Sequence, residues 1–292
     1  MSLKSYLISQ RRKSKRMNKK SIIQKAMAAP HIVWAVLFII APLLFVVYYA
    51  FTDKEGNFTF SNISELAQAS YLEIFLRSVC FAFLATVICL IIAYPIAYFM
   101  TKTSPKTQKI LIMLVMLPQW LNFLIRTYSW MAILEDTGII NTILDAIGIG
   151  PIHMINTSGA VILGMVYNYL PYMIIPLHSV MSKIDTRLLE AASDLGCSPI
   201  KVLTSVVVPL SVSGIISGVT MVFVPSISTF YISQKLGGGN FDLIGDTIER
   251  QFQTAYNYNL GAAMSLVLMI IIMISMAIMN KYSGEDDGGV VV

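Results

Sequence analysis

Charged residues are scarce in this sequence of 292 residues, since only 13% are Asp, Glu, Lys or Arg. Apolar residues make up 56% of the chain, and its mean hydropathy is strongly positive. A water-soluble domain carries about twice this share of charge, so the composition excludes that class. It predicts a protein that lies mostly within a membrane.

The sequence also lacks the residue patterns that carry chemistry. It has no G-x-x-x-x-G-K-[ST] phosphate-binding loop, so the chain is not expected to hydrolyse ATP itself. No group of His, Cys and carboxylate residues has metal-ligand spacing, and no nucleophile stands beside a base. Cys80 and Cys89 fall in an apolar run and Cys197 stands alone, so no disulfide framework is predicted. The chain is therefore expected to be no enzyme and to bind no metal or cofactor of its own.

Six apolar runs of about 20 residues are long enough to cross a bilayer as helices. Residues 1–30 form a basic N-terminal segment, residues 31–280 the membrane domain, and residues 281–292 a short tail. The first run is not interpreted as a cleaved signal, because it has span length and no small-residue cleavage site follows. The sequence thus predicts an all-α membrane protein with transmembrane helices at His31–Phe51, Ile74–Met100, Ile110–Leu134, Gly159–Val180, Leu210–Ser233 and Gly261–Asn280.

Basic residues divide unevenly between the two sides of these spans. Sixteen Lys and Arg fall in the N-terminal segment, the second and fourth loops and the tail, whereas three fall in the other loops. Because positive loops stay in the cytoplasm, both termini and the loop at residues 183–209 are predicted to be cytoplasmic. The basic segment, whose start is either Met1 or Met17, is interpreted as an orientation signal that contacts membrane lipid and no nucleic acid.

The loops on the opposite side are acidic, with ten Asp and Glu against three basic residues. Acidic residues hardly influence membrane orientation, so the orientation rule does not require this surplus. One interpretation is a field that concentrates cations at the mouth of a pathway, and the other is a solvated surface without further role. Asp136, Asp246 and Glu249 belong to these loops.

Proline interrupts five of the six spans and also marks the start of the fifth. Each proline removes a backbone donor and favours a kink, which a helix bundle around a pathway tolerates. The residues concerned are Pro42, Pro95, Pro118, Pro171, Pro176, Pro209 and Pro225.

The polar stretch Asp185–Pro209 predicts two short helices joined by a tight turn. Asp185 suits a helix N-cap, Gly196 suits the left-handed position after a helix end, and Ser198-Pro199 restarts a helix. The first of these helices is amphipathic, and a partner protein, the membrane surface or its own bundle must cover its apolar face. That face consists of Leu188, Ala191, Ala192 and Leu195.

The same stretch resembles the EAA loop of binding-protein-dependent ABC importer permeases. In that loop, EAA is followed after three residues by Gly and after nine more by I-x-L-P. Here Glu190-Ala191-Ala192, Gly196 and Pro209 match in register, whereas Val206 and Val208 replace the usual Ile and Leu. The stretches LPQWLNFLIRTYSW, GMVYNYLPYMIIPL and LLEAASDLG resemble polyamine (spermidine/putrescine) permease subunits, so the resemblance covers most of the chain.

This resemblance implies the type I ABC importer permease fold in a bacterial cytoplasmic membrane, with the EAA helix as the cytoplasmic coupling helix. It implies as partners a second homologous permease, two ATPase subunits that bind ATP and Mg²⁺, and an extracytoplasmic polyamine-binding protein. The residues expected to couple to an ATPase are Glu190, Ala191, Ala192, Leu195, Gly196 and Pro209.

Polar and aromatic residues in the spans and the acidic loops are candidates for the substrate pathway. Trp120 offers a π-face to a cation and Asn122 offers an amide acceptor, and Trp120 equally suits an interfacial belt. Arg126 is either structural, paired with Glu135 or Asp136 or capping carbonyls of a broken helix, or part of the path. The pathway candidates are Trp120, Asn122, Tyr128, Asp136, Asn168, Tyr172, Ser226, Ser228, Tyr231, Asp246 and Glu249.

Two other functions stay open at this point. An importer of the same class could carry thiamine, ferric iron or an anion; Arg126 suits an anion, and the acidic mouth argues against one. A secondary transporter or channel would make the EAA-like loop merely structural. The dependence of uptake on ATP separates that class from an ABC importer.

Overall fold

The computed structural model describes residues 29–282, so the predicted N-terminal segment and tail lie almost wholly outside the described part. The described chain is helical, apart from turns, loops and an isolated bridge between Thr52 and Phe58. Its helices are α1 (Ala29–Ala50), α2 (Ser61–Glu65), α3 (Ala69–Thr101), α4 (Pro105–Met116), α5 (Phe123–Leu134), α6 (Ile139–Ala146), α7 (Ser158–Met181), α8 (Thr186–Asp194), α9 (Pro199–Leu210), α10 (Val212–Ile227), α11 (Tyr231–Leu236), α12 (Ile244–Gln253) and α13 (Tyr258–Tyr282).

Four single helices, α1, α3, α7 and α13, are long and apolar enough to cross a membrane. Two pairs of segments reach span length only together, and each pair is sharply bent. Residues Pro105–Trp120 and Phe123–Ala146 meet at 87°, and residues Pro199–Leu210 and Val212–Ile227 meet at 72°. Counting each bent pair as one span gives the six predicted spans.

The third and fifth spans differ from their predicted bounds. The predicted span Ile110–Leu134 is interrupted at Leu121, which has an extended backbone, and α5 starts two residues later. The predicted span Leu210–Ser233 begins earlier, with α9, and its long helix ends at Ile227. Tyr231 therefore belongs to the separate short helix α11.

Helix geometry changes at several prolines. A proline cannot donate to the carbonyl four residues earlier, and its ring crowds that carbonyl. The π-helical residues Val36–Ile40 precede Pro42, and the π-helical residues Leu203–Val207 precede Pro209. Pro118 lies in the short 3-10 segment before the 87° bend. The remaining span prolines lie inside helices that continue through them, namely Pro95, Pro171, Pro176 and Pro225.

The main core lies where α3, α7 and α10 pack together. A β-carbon added at Gly218 of α10 would lie 2.6 Å from the sulfur of Met173, and one added at Gly214 would lie 3.0 Å from Val180. Both glycines thus serve close helix packing. α3 contributes a matching stripe of small residues that are fully buried: Ala82, Ala85, Cys89, Ala93 and Ala97.

A second cluster joins the two ends of the described chain. α13 packs against α1 and α12, and its apolar residues surround Ala50. The side-chain amide of Asn259 donates to the carbonyl of Thr52 at 2.7 Å and to that of Tyr49 at 3.2 Å. These bonds fix the start of α13 against the end of α1.

Candidate functional site

The predicted helix–turn–helix of the EAA-like loop is confirmed, and both helices begin as predicted. The side chain of Asp185 accepts a hydrogen bond from the backbone N–H of Arg187 at 3.0 Å and caps α8. The hydroxyl of Ser198 accepts from the N–H of Lys201 at 3.4 Å, and Pro199 occupies the first turn of α9. Local capping therefore sets both helix starts.

Gly196 ends α8 in the left-handed conformation, with φ of +80°. Its N–H donates to the carbonyl of Ser193 at 2.9 Å, and the N–H of Cys197 donates to the carbonyl of Ala192 at 3.1 Å. This pair of bonds is the Schellman ending, which satisfies the last helix carbonyls and reverses the chain. The turn thus fixes the direction of α8 relative to α9.

α8 turns one apolar edge away from the rest of the chain. The side chain of Leu195 is 85% exposed, and Leu188 and Ala191 are exposed beside it. Leu189, on the opposite side, packs against the main core. An exposed apolar edge on a short helix is typical of a surface that another protein covers.

Charged residues border this edge. Glu190 is exposed and lines a groove of roughly 460 Å³ between α8 and the end of α3. Asp194 and Lys102 line the same groove, and the Lys102 ammonium lies 5.0 Å from the centroid of the Tyr98 ring. Pro209, in contrast, lies beyond the π-helical segment beside the 72° bend, so it shapes the span more directly than the α8 surface.

An aromatic cluster joins α5 to α11. The Tyr231 ring centroid lies 6.0 Å from that of Phe123 and 6.2 Å from that of Tyr128. Tyr231 also lines a cavity of roughly 390 Å³, together with Ser228 and Tyr169. Three predicted pathway residues, Tyr128, Ser228 and Tyr231, thus meet in one region.

The other polar candidates of the third and fourth spans have different surroundings. Trp120 is 72% exposed and lies just before the 87° bend. Asn122 caps α5, because its side-chain oxygen accepts from the N–H of Leu124 at 2.8 Å. Its acceptor is thereby used within the chain. Tyr172 on α7 remains partly exposed.

Asn168 is buried, and its amide donates to the carbonyl of Gly164 at 2.9 Å. Its backbone carbonyl accepts from the side chain of Gln119 at 2.8 Å, which links α7 to the segment that carries Trp120. Ser226 is fully buried and donates to the carbonyl of Val222 on its own helix. The structure therefore places Asn168 and Ser226 in the packing of the bundle, which corrects the expectation that both face a pathway.

The sequence pattern predicted that Asp246 lies at an exposed acidic mouth, and the structure shows that it does not. It is buried, and its carboxylate accepts from the hydroxyl of Ser233 and from the N–H of Leu243, both at 2.9 Å. The next backbone N–H, of Ile244, donates to the hydroxyl of Ser78 on α3 at 2.7 Å. Asp246 therefore fixes the start of α12 against its neighbours.

The two other acidic candidates form hydrogen bonds closer to the surface. Glu249 is half-buried and accepts from the side-chain amide of Gln234 at 3.1 Å. Asp136 is exposed and bonds to the imidazole of His153 at 2.9 Å. Asp136 and Glu249 retain partial exposure, and so they alone of the three acidic candidates suit a surface field.

Arg126 is only 6% exposed, and its guanidinium lies over the ring of Phe123 at 5.9 Å. Within residues 29–282, neither Glu135 nor Asp136 forms an ion pair with it, and its Nε and Nη1 have no hydrogen-bond partner. The expected pairing with a carboxylate is therefore wrong for this chain alone. A buried cation of this kind is costly without a partner.

Sequence reasoning missed two residues of this region. The sequence pattern gave no signal for Gln119, although its side-chain amide donates the hydrogen bond that links its segment to α7. Lys235 is one of the three basic residues of the acidic loops, and its ammonium lies within 6 Å of two tyrosine rings. The spacing of Tyr231 and Lys235, four residues apart, was the available signal.

We expect the stability of the protein to rise as the pH falls, through Asp246. Burial raises the pKa of Asp246 to about 6 from its ordinary value of 3.8, and its bonds to Leu243 and Ser233 oppose that rise only in part. Because the folded pKa is the higher one, this contribution is complete below 3.8 and is lost as the pH rises through 6. From about pH 7.5 to about pH 5 the gain is about 1.4 kcal/mol.

Thermal unfolding of the purified protein at these two pH values measures the effect. Asp246→Asn is the matched control, because it cannot titrate and all other titratable groups are retained. The difference between the two pH values should shrink in this variant. An equal difference in both proteins would contradict the assignment to Asp246.

The chain matches the family model described as binding-protein-dependent transport system inner membrane component over residues 11–284. It is 39% identical over 256 residues to the spermidine/putrescine transport system permease protein PotB of Haemophilus influenzae, covering 85% of this chain and 90% of that protein. It is 37% identical over 246 residues to PotB of Escherichia coli, covering 82% and 90%.

A solved structure has a similar fold despite low sequence identity. It belongs to a bacterial ABC transporter involved in the import of the acidic polysaccharide alginate, with a TM-score of 0.78 and 17% identity. The match covers 93% of this chain and all of that one. This likeness confirms the predicted fold, which is that of a type I ABC importer permease.

Proposed function

The chain belongs to the family of binding-protein-dependent transport system inner membrane components, and we propose that it is one permease subunit of an ATP-driven importer of polyamines such as spermidine and putrescine. The similarity to PotB proteins over nearly the whole of both chains carries this proposal. The rest of the importer would comprise a second homologous permease, two ATPase subunits that hold ATP and Mg²⁺, and an extracytoplasmic binding protein.

The α8 surface is proposed to dock onto an ATPase subunit. Its exposed edge of Leu188, Ala191 and Leu195 would fill an apolar cleft of the partner, and Glu190 would meet a basic side chain at the rim. Closure of the two ATPases around ATP would push the α8 helices of the two permeases together. Because the Schellman turn holds α8 against α9, this movement would reach the bent span directly.

The cargo is proposed to pass along the face that carries Trp120 and the cluster of Phe123, Tyr128 and Tyr231. Aromatic faces attract ammonium groups and replace part of their hydration. Asp136 and Glu249 would contribute a negative field outside the membrane, which raises the local concentration of a cation. Arg126, which is buried, would stay structural and find its partner in the assembled importer.

Uptake of labelled spermidine by the reconstituted importer tests the proposed function. Proteoliposomes that hold both permeases and both ATPases should accumulate spermidine only when ATP is supplied on the side of the membrane that carries the ATPases. The binding protein must be present as well. Unlabelled putrescine should compete, whereas thiamine, ferric iron and an anion should not. Uptake without ATP would point to a secondary transporter or channel, and competition by one of the other solutes would reassign the cargo.

The proposed orientation predicts which sites are accessible from outside the cell. Tags at residues 1 and 292 should be accessible only from the cytoplasm, since positive loops remain there. A tag placed within residues 57–61, in the loop between α1 and α3, should be accessible from outside. Protease or antibody access in intact cells whose outer barrier is permeabilised measures this. A protected tag at residues 57–61 would overturn the six-span topology.

A further inference from the structure

Lys235 occupies a site formed by two tyrosine rings. Its ammonium lies 5.6 Å from the ring centroid of Tyr128 and 5.7 Å from that of Tyr231. The two rings themselves meet edge to face, with centroids 6.2 Å apart. Within residues 29–282, no carboxylate forms an ion pair with this ammonium. The two tyrosine side chains are thus the described groups that attract its charge.

The fold builds this site from two separate elements. Tyr128 belongs to α5, whereas Tyr231 and Lys235 belong to α11. Residues four apart lie on the same face of a helix, so the lysine side chain can reach back over Tyr231. Tyr231 also lines the cavity of roughly 390 Å³ that contains Phe123 and Ser228. The ammonium site therefore lies at the edge of an open cavity.

We propose that Tyr128 and Tyr231 form a binding site for a primary ammonium group of the cargo, and that Lys235 fills this site when no cargo is bound. The proposal rests on the proposed polyamine function and specifies how the permease recognises such a cargo. A lysine side chain ends in an alkylammonium group, which is the same chemical group that ends spermidine and putrescine. Two such cations cannot share one pair of rings, because like charges at contact distance repel.

Binding of the cargo then requires the lysine side chain to leave. The apparent affinity of a site falls in proportion to the fraction of time that the site is open. A tethered ammonium therefore weakens binding, and it keeps other small cations out of the site when no polyamine is present. Displacement of Lys235 would place its charge away from the rings while the cargo passes.

The first test compares Lys235→Gln with Lys235→Arg in the assembled permeases and ATPases, held in nanodiscs without the binding protein. Labelled spermidine should bind roughly three- to tenfold more tightly to the Gln variant, because the competing cation is gone. The Arg variant should bind like the wild type, since a guanidinium also stacks on tyrosine. Equal affinity in the Gln variant and the wild type would overturn the proposal.

Chemical labelling supplies a second measurement that does not depend on transport. Saturating spermidine should increase the rate at which an amine-acylating reagent modifies Lys235, as mass spectrometry would detect. Lys54, which is exposed in another loop, is the internal control and should not change. An unchanged rate at Lys235 would count against displacement.

Two further variants separate the site from a purely structural contact. Tyr231→Leu should weaken spermidine binding, and Tyr231→Phe should preserve it because the π-face remains. A lower melting temperature of Lys235→Gln with unchanged spermidine affinity would identify Lys235 as a structural clasp and overturn the proposal. If the wild-type importer shows no ATP-driven spermidine uptake, the proposed function itself fails; if it transports and only the Lys235 tests fail, this inference alone is wrong.

Discussion

Replacing Gly196 by leucine is expected to abolish ATP-driven uptake while the chain remains in the membrane. Gly196 has φ of +80°, a conformation that costs a residue with a β-carbon about 1–2 kcal/mol. Among the described residues, nothing lies within 4 Å of an added β-carbon, so the change fits within this chain. Its effect would fall on the direction of α8 and on the surface beside Leu195, where we expect the ATPase to dock. Uptake by proteoliposomes and the amount of protein in the membrane are the two measurements.

Gly148 provides a matched control for the strain at Gly196. It also has φ of +80° with nothing within 4 Å, and it lies in the loop after α6, away from α8. Gly148→Leu should therefore carry the same backbone cost and retain uptake. Gly196→Asn should retain more uptake than Gly196→Leu, because asparagine tolerates the left-handed region. Equal losses at Gly148 and Gly196, or normal uptake by Gly196→Leu, would remove the coupling role.

Replacing Trp120 by alanine is expected to slow spermidine uptake by roughly three- to thirtyfold. A cation–π contact contributes about 0.5–2 kcal/mol, which corresponds to that range of rates. The indole is 72% exposed and precedes the 87° bend, so it is available to a passing cation. Trp120→Phe should lose less, because a smaller π-face remains. Initial rates with the loaded binding protein in excess measure the effect.

Trp34 on α1 is the control for a tryptophan that only anchors the chain in the membrane. It is also more than half exposed, and it stacks on His31 and lies near Phe38 within its own helix. Trp34→Ala should leave the uptake rate unchanged. If Trp34→Ala and Trp120→Ala behave alike, Trp120 is a belt residue and the aromatic part of the cargo argument fails.

Features set by neighbouring residues could be predicted from the sequence. The start of α8 at Asp185, its end at Gly196 and the start of α9 at Ser198 all follow from side-chain or backbone bonds within a few residues. Such bonds depend on residue type and spacing alone. The six apolar runs could likewise be predicted, since span length is a property of composition.

Features set by contacts between distant segments could not be predicted in this way. The sequence pattern predicted that Asp246 is a surface acid, but it is buried by packing against Ser233 and the loop before α12. The sequence pattern predicted an ion pair for Arg126, yet its guanidinium lies over the ring of Phe123. The hydropathy of the sequence did not predict the break at Leu121, because an apolar run has the same composition whether its helix is straight or bent.

The docking of α1 against α13 has a consequence for how the protein is made. Among the described helices, α1 and α13 lie far apart in sequence, since α1 ends at residue 50 and α13 begins at residue 258. At common synthesis rates, roughly ten to forty seconds separate the two. During that interval α1 lacks this neighbour, and the amide of Asn259 cannot yet donate to the carbonyls of Tyr49 and Thr52. The synthesis of α13 is therefore the step that allows this cluster to form, and a copy that stops before residue 258 would leave the end of α1 without these contacts.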